Sequence, residues 1–380
     1  MSLKQRLLTR IARLGPMTVA DYMAECLHDP TFGYYATRDP LGRGGDFITA
    51  PEITQMFGEL LGLWLAQVWV DQGQPDCVLA ELGPGRGTLM ADALRATRAV
   101  PGFHDAVSLH LVEVSPVLRA AQAAALKDFA PSFHNSIGDL PEKPILLIAN
   151  EFFDALPIRQ FQMNDAKDWQ ERQIGAADGA LIWGLAPPSL SASPAPALPP
   201  ALPASPSLPQ SNAGNGFTPG MIVETCAPGE AIAQEIGRRI ATHGGAALVV
   251  DYGDAASAGD TFQALSGHAF ADPLEAPGEA DLTAHVAFSP LAQAAMPALA
   301  SALTPQGVFL ERLGITARAQ ALARTLSGAA LAAHVTAHRR LTHPQEMGNL
   351  FKVMALTPPD APLPPVLPPP VLEPPAKGGA

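Results

Sequence analysis

Val78-Leu79-Ala80-Glu81-Leu82-Gly83-Pro84-Gly85-Arg86-Gly87-Thr88 constrains this chain more than any other stretch. An apolar run closes on an acid, Glu81, and three alternating glycines follow. The spacing predicts a buried strand, a tight turn and a helix over about residues 88–98. Glycine meets two demands there: turn angles closed to other side chains, and a ligand that approaches the main chain closely. The helix would aim its first free N–H groups back into the turn. The alternative is a glycine turn that serves structure only.

The dinucleotide fingerprint would place its third glycine where this chain has Thr88, and the Gly-Lys-Ser/Thr of a phosphate-binding loop never appears. Glu81 at the strand end would repel a pyrophosphate but suits an ammonium group. S-adenosylmethionine carries an amine and a sulfonium and no phosphate. Acid-x-Gly-x-Gly-x-Gly is the usual first motif of the class I methyltransferases that use it. Glu81, Gly83, Pro84, Gly85 and Gly87 are therefore the expected cofactor-binding residues of this turn.

A second apolar run ends in Glu113, placed where nucleoside-binding α/β sheets put a carboxylate against ribose hydroxyls. An exposed strand-end acid is the plainer alternative. A third short strand leads to Asp139, within reach of an adenine amine, and to Leu140, against the ring. Residues 144–149 read as a fourth strand, followed by Asn150-Glu151-Phe152-Phe153-Asp154, two acids among aromatics at the end that should border the transferable methyl. Residues 247–253, 308–313 and 351–356 read as further strands. Strands alternating with helices imply an α/β fold, Rossmann-like, with a doubly wound, mostly parallel sheet expected to have seven strands.

The chain of 380 residues is 47% hydrophobic, enough for a substantial core. A net charge of −12 without a basic block argues against nucleic acid and fits a cationic substrate. Cys26, Cys77 and Cys226 are scattered, which supports neither a disulfide framework nor a zinc site, and no apolar run is long enough to insert in a membrane. Basic residues interleave with Leu3, Leu7, Ile11 and Leu14, so the first helix reads as an amphipathic helix of the domain or as a targeting segment. The glycine-dense loop before Glu52 could be a lid or a long surface connection. Residues 187–216 and the proline-rich tail cannot bury enough apolar surface to order themselves, so both should be extended and mobile. The expected divisions are residues 1–70, an N-terminal helical extension and lid; 71–157, the first part of the core; 158–224, an inserted β-region on the sheet; 225–356, the second part of the core; and 357–380, a disordered tail.

Five linked motifs carry a family resemblance. Gly45-Asp46-Phe47-Ile48-Thr49-Ala50-Pro51-Glu52, the glycine turn, Leu111-Val112-Glu113-Val114-Ser115, Asn150 to Pro157, and the pair Asp281-Leu282-Thr283-Ala284-His285 and Met347-Gly348-Asn349-Leu350-Phe351-Lys352 resemble the MidA family. That family is the bacterial counterpart of a mitochondrial complex I assembly factor. The resemblance implies a class I methyltransferase that uses S-adenosyl-L-methionine and, in the mitochondrial member, dimethylates a protein arginine on a hydrophilic-arm subunit of complex I. It implies that Ile48 and Thr49 close over the cofactor and that Val114 and Asn150 border it. It also implies a protein substrate, and a cytoplasmic location in a bacterium or the mitochondrial matrix in a eukaryote; a homodimer stays open. The Thr-His-Trp loop of the main arginine methyltransferase branch is absent.

Carboxylates that grip a guanidinium in bidentate fashion would localise its charge and orient one nitrogen toward the methyl. Glu151 is the first candidate for that catalytic role and Asp154 the second. The alternatives are a Glu151 that binds only the cofactor's amine and an Asp154 that caps a helix. His285 could serve as a base or pack as a strand residue. No metal is expected. Three functions stay open: a protein-arginine methyltransferase, a methyltransferase on another protein or a small amine, and a cofactor-binding assembly factor without catalysis.

Overall fold

The structure, a computed structural model, describes residues 2–37, 49–187, 218–256 and 259–369. Ile48, the glycine-rich stretch before it and all of the 187–216 tract except Pro187 lie outside the described residues.

Helix α1 (Leu3–Leu14) starts at Ser2, whose hydroxyl accepts the N–H of Gln5, and it buries Leu3, Leu7 and Ile11 at helical spacing. The amphipathic N-terminal pattern is therefore a packed helix. Helix α2 (Val19–His28) is capped by Thr18, which accepts the Asp21 N–H at 3.0 Å. Helix α3 (Gln55–Asp71) lies on α4 (Thr88–Thr97) backbone to backbone. A Cβ on Gly58 would fall 2.7 Å from the Leu89 carbonyl oxygen, and one on Gly62 would fall 2.6 Å from the Ala93 Cα. Only glycine allows that approach.

The central sheet is built from β1 (Cys77–Leu82), β2 (Val107–Val112), β3 (Ser132–His134) and β4 (Ile145–Asn150), with α5 (Pro116–Ala125) after β2. The chain then leaves it for β5 (Arg159–Met163), β6 (Trp169–Ala177), β7 (Ala180–Leu185) and β8 (Ile222–Thr225), an antiparallel sheet that Met17–Thr18 joins at an edge. It returns through α6 (Ala227–His243) to β9 (Gly245–Asp254), then forms a small sheet of β10 (Gln263–Ser266), β11 (Ala269–Ala271) and β12 (Asp281–Thr283). Helices α7 (Gln306–Arg312), α8 (Ile315–Ala323) and α9 (Gly328–Thr342) precede the last strand, β13 (Phe351–Thr357).

The central order is Leu299–Ala300, β13, β9, β4, β1, β2, β3, parallel from β9 to β3 and antiparallel at β13. Both faces are covered. Cys77 and Leu79 join the core under α3 and α4, while Val78, Ala80 and Leu82 join the one under α6. That is why β1 reads as an unbroken apolar run rather than an alternation. From β1 the chain winds outward through β2 and β3, then resumes on the other side at β4, so the crevice for a ligand opens between the C-terminal ends of β1 and β4.

Three expectations are corrected. Residues 308–313 are not a strand: Gln306, Phe309 and Leu310 are buried at helical spacing in α7, while Val308 is 41% exposed. The inserted β-region does not lie on the central sheet, because Ile174 and Leu181 belong to a separate core with α1 and α2. The start of the tail is not loose, since Leu367 is buried and Trp64 donates its indole N–H to the Pro365 carbonyl at 2.9 Å. An indole N–H is a strong directional donor, and it holds the prolines that have no N–H of their own.

Candidate active site

A cavity of about 1060 Å³ opens over the ends of β1 and β4. Its floor is the glycine turn. Gly83, Gly85 and Gly87 have φ of 59°, 55° and 81°, the left-handed region, and a Cβ on Gly83 would meet the Phe152 ring at 2.9 Å. Side chains at these positions would strain the turn or fill the cradle. Gly87 caps α4, whose first N–H groups face the turn as expected. Pro84 and Arg86 also line the cavity, and the Arg86 guanidinium stands 4.0 Å from Glu52.

Glu81 is buried at 3% exposure, and its Oε2 has no hydrogen-bond partner among the described residues. Burial pushes its carboxyl up to about 8. An orphaned buried carboxylate at the cavity floor fits an ammonium group, which would restore the ionised form. Glu113 is also buried and raised by burial. It accepts the Ser115 N–H at 2.8 Å and the Gln122 side-chain amide at 3.2 Å. That same amide donates to the Gly85 carbonyl at 2.7 Å, so Gln122 ties Glu113 to the glycine turn. Sequence reasoning missed Gln122. The signal was a glutamine on the apolar stripe of α5, where Leu118 is its buried neighbour.

Val114, Thr49 and Asn150 line the cavity, as do Asn135, Ser136 and Ile137. Asp139 and Leu140 do not. The Asp139 carboxylate is turned back onto the Ser136 N–H at 3.0 Å and the Asn135 N–H at 3.3 Å, capping its own turn, and those bonds hold it below the usual carboxylate range. Leu140 is buried beneath, and its carbonyl accepts from Arg239.

At the end of β4, Glu151 adopts φ 51° and its Oε1 accepts the Ala50 N–H at 3.0 Å and the Asn150 amide at 3.1 Å. Burial pushes Glu151 up to about 7, and the nearby Arg340 charge works against that rise. Asp154 caps no helix. Burial lifts it to about 6, the nearby Tyr252 hydroxyl works against that rise, and its Oδ1 has no partner among the described residues. Beneath both lies Asp251, fully buried in the C-terminal half of β9, whose Oδ2 accepts the N–H groups of Phe152, Phe153 and Asp154 at 3.2, 3.0 and 3.3 Å. Burial, then repulsion from Asp154 and Glu151, holds Asp251 well above the usual carboxylate range. Asp251 was legible only as part of a strand. A carboxylate ending an otherwise apolar run was the signal, the same one that marked Glu81.

Asp281 and Thr283 of β12 complete the acidic wall, and the Tyr35 hydroxyl donates to Asp281 at 2.8 Å. His285 lies just beyond β12, its ring packed edge-on against Tyr252 with centroids 5.3 Å apart, and burial lowers its pKa. Among the described residues no group of side chains is arranged to hold a metal ion.

A largely parallel sheet with a glycine turn at the floor of an acid-lined crevice is the class I nucleoside-binding fold of methyltransferases. The comparisons take this further: residues 60–306 match the family described as "Putative S-adenosyl-L-methionine-dependent methyltransferase", and the chain belongs to that family. It is 37% identical to "Protein arginine methyltransferase NDUFAF7, mitochondrial" of Danio rerio, over 93% of this chain and 86% of that one. The Homo sapiens protein of the same name is 37% identical over 93% and 83%. A crystal structure from Burkholderia thailandensis bound to S-adenosyl-homocysteine superposes with a TM-score of 0.77 at 28% identity, covering 93% of this chain and 91% of that one. The MidA resemblance, the S-adenosylmethionine cofactor and the class I methyltransferase fold are thereby borne out. No helix among the described residues is long and apolar enough to cross a membrane.

Proposed function

We propose that this chain is a protein-arginine N-methyltransferase that acts on a hydrophilic-arm subunit of respiratory complex I, in the cytoplasm of a bacterium or the matrix of a mitochondrion. The observation that carries this reading is the pair Glu151 and Asp154, two carboxyls pushed up to about 7 and about 6 by burial, facing one cavity with the glycine turn. Such a pair is poised for a cation. The names of the relatives support arginine as its source.

S-adenosylmethionine, when bound, supplies an electrophilic methyl on its sulfonium. Glu81 would hold the cofactor's ammonium and Glu113 its ribose, while Ile137 and the main chain at Asn135 and Ser136 would take the adenine end in place of Asp139 and Leu140. Thr49 and Val114 would border it. Arginine stays protonated in proteins, so the attacking nitrogen must be made electron-rich by localising charge on the others. Glu151 and Asp154 would grip the guanidinium, orient one nitrogen and hold both charges once the cation lowers their pKa values. The methylated nitrogen must give up a proton, and a carboxylate whose empty-site pKa lies near neutrality suits that transfer.

The test is mass spectrometry of complex I subunits from cells with and without the gene. One arginine should lose its methyl groups in the deletion. Identical subunit modification in both would overturn the complex I assignment.

A further inference from the structure

Strand β11, Ala269–Ala271, lies at the outer edge of the small sheet, paired with β10 and with nothing else among the described residues. Gly267 and His268, with φ of 57° and 63°, close a two-residue hairpin, so Ser266 and Ala269 form its hydrogen-bonded pair. Bonded and non-bonded pairs alternate in an antiparallel ribbon, and the next pair, Leu265 with Phe270, is therefore non-bonded. It follows that the Phe270 N–H and C=O point away from β10, toward the open edge.

Native edges are usually blunted by charge or proline. Ala269-Phe270-Ala271 is short but has neither within it, the first charge and proline after it being Asp272 and Pro273. Its central side chain is 77% exposed yet lines the mouth of the acidic cavity, which Asp281 and Thr283 of the same small sheet also line. An uncharged, unpaired edge beside a carboxylate-lined pocket can hold an extended backbone while one cationic side chain turns inward.

Building on the arginine reading above, we propose that the substrate segment docks as an extended strand on β11. The Phe270 N–H donates to a substrate carbonyl and the Phe270 C=O accepts a substrate N–H. The arginine enters beside the Phe270 ring toward Asp281, Glu151 and Asp154. Main-chain pairing of this kind gives affinity without demanding particular neighbours, and the acidic pocket gives the choice of arginine.

The experiment compares methylation of two probes by the full chain: peptides with a fixed central arginine and randomised flanks, and n-butylguanidine, which carries the guanidinium but no amide group to pair with the edge. The wild type should prefer the peptides in kcat/KM, and Phe270→Pro, which removes the outward N–H, should cut that preference about tenfold. S-adenosyl-homocysteine affinity checks that the variant is folded. As a second measurement, hydrogen exchange at the wild-type Phe270 amide should slow when the peptides and S-adenosyl-homocysteine are added together. An unchanged preference, or an amide left unprotected by bound peptide, would overturn the docking mode alone. A wild type that binds S-adenosyl-homocysteine but methylates neither probe would overturn the arginine reading and this inference with it.

Discussion

Asp251 Oδ2 accepts the main-chain N–H of Asp154 at 3.3 Å, so a carboxylate within one strand fixes the backbone that presents another to the cavity. Phe152, Phe153 and Tyr252 donate to the same side chain. Asp251→Ala would leave these four donors without a partner. Urea unfolding should show a loss on the order of 3 kcal/mol, because a buried unsatisfied donor costs ~1–3 kcal/mol and the loop can relax only in part. A midpoint equal to wild type would remove Asp251 from this role.

Glu81→Gln should have opposite effects on cofactor and fold. Titration with S-adenosyl-homocysteine should show affinity reduced by about 10², the loss of a charge-assisted bond to the ammonium. Without ligand the sign reverses. Because the folded pKa of about 8 lies above that of the unfolded chain, the folded state binds the extra proton between them, and wild-type stability falls as pH rises through that window. The variant has no such loss, so at pH 8 its melting temperature should exceed that of the wild type.

The activity should depend on pH through the acids proposed to grip the cation. Asp154 at about 6 and Glu151 at about 7 must both be ionised, so kcat/KM should rise across that range and level off above it. A profile flat from pH 5.5 to 8 would show that neither ionisation matters.

Glu151→Gln is nearly isosteric and should fold, but the charge proposed to polarise the guanidinium is lost. Single-turnover methyl transfer should slow by about 10² or more, roughly 3 kcal/mol of transition-state stabilisation, with little change in S-adenosyl-homocysteine affinity. Rate and affinity falling together would instead assign Glu151 to the cofactor's amine.

Truncation after Thr357 should destabilise the protein by about 2–4 kcal/mol, since it exposes the pocket of the buried Leu367 and removes the acceptor of the Trp64 indole. Truncation after Pro369 should not. Equal melting temperatures for the two truncated proteins would refute a structural role for this stretch.

The local parts of the site were legible in the residues. An apolar run ending in an acid and three glycines can satisfy its backbone in few ways, so Glu81, Gly83, Gly85 and Gly87 could be placed before any coordinates, and so could Glu113 and the Glu151–Asp154 loop. The match to S-adenosylmethionine rested on one chemical point, a buried acid where a phosphate would need none. Where pattern and packing diverge, the reading failed. Val308-Phe309-Leu310 has the composition of a strand, yet contacts of α7 with α9 and β13 make it a helix, and the prolines after Thr357 found an indole donor that no local pattern announces.

What the linear order decided, then, was the chemistry of each strand end: which carboxylate, which glycine, which aromatic. Tertiary structure decided which of those ends meet. Asp251 and Glu151 are a hundred positions apart in sequence and become neighbours only because β9 pairs with β4 in parallel register, Val250 beside Asn150. Asp139 went the other way, into its own turn, because nearby main-chain N–H groups were closer partners than the cavity. The raised pKa values of Glu151, Asp154 and Asp251 belong to the fold alone, since they arise from removing three carboxyls from water together, and no residue carries that property before its neighbours are in place.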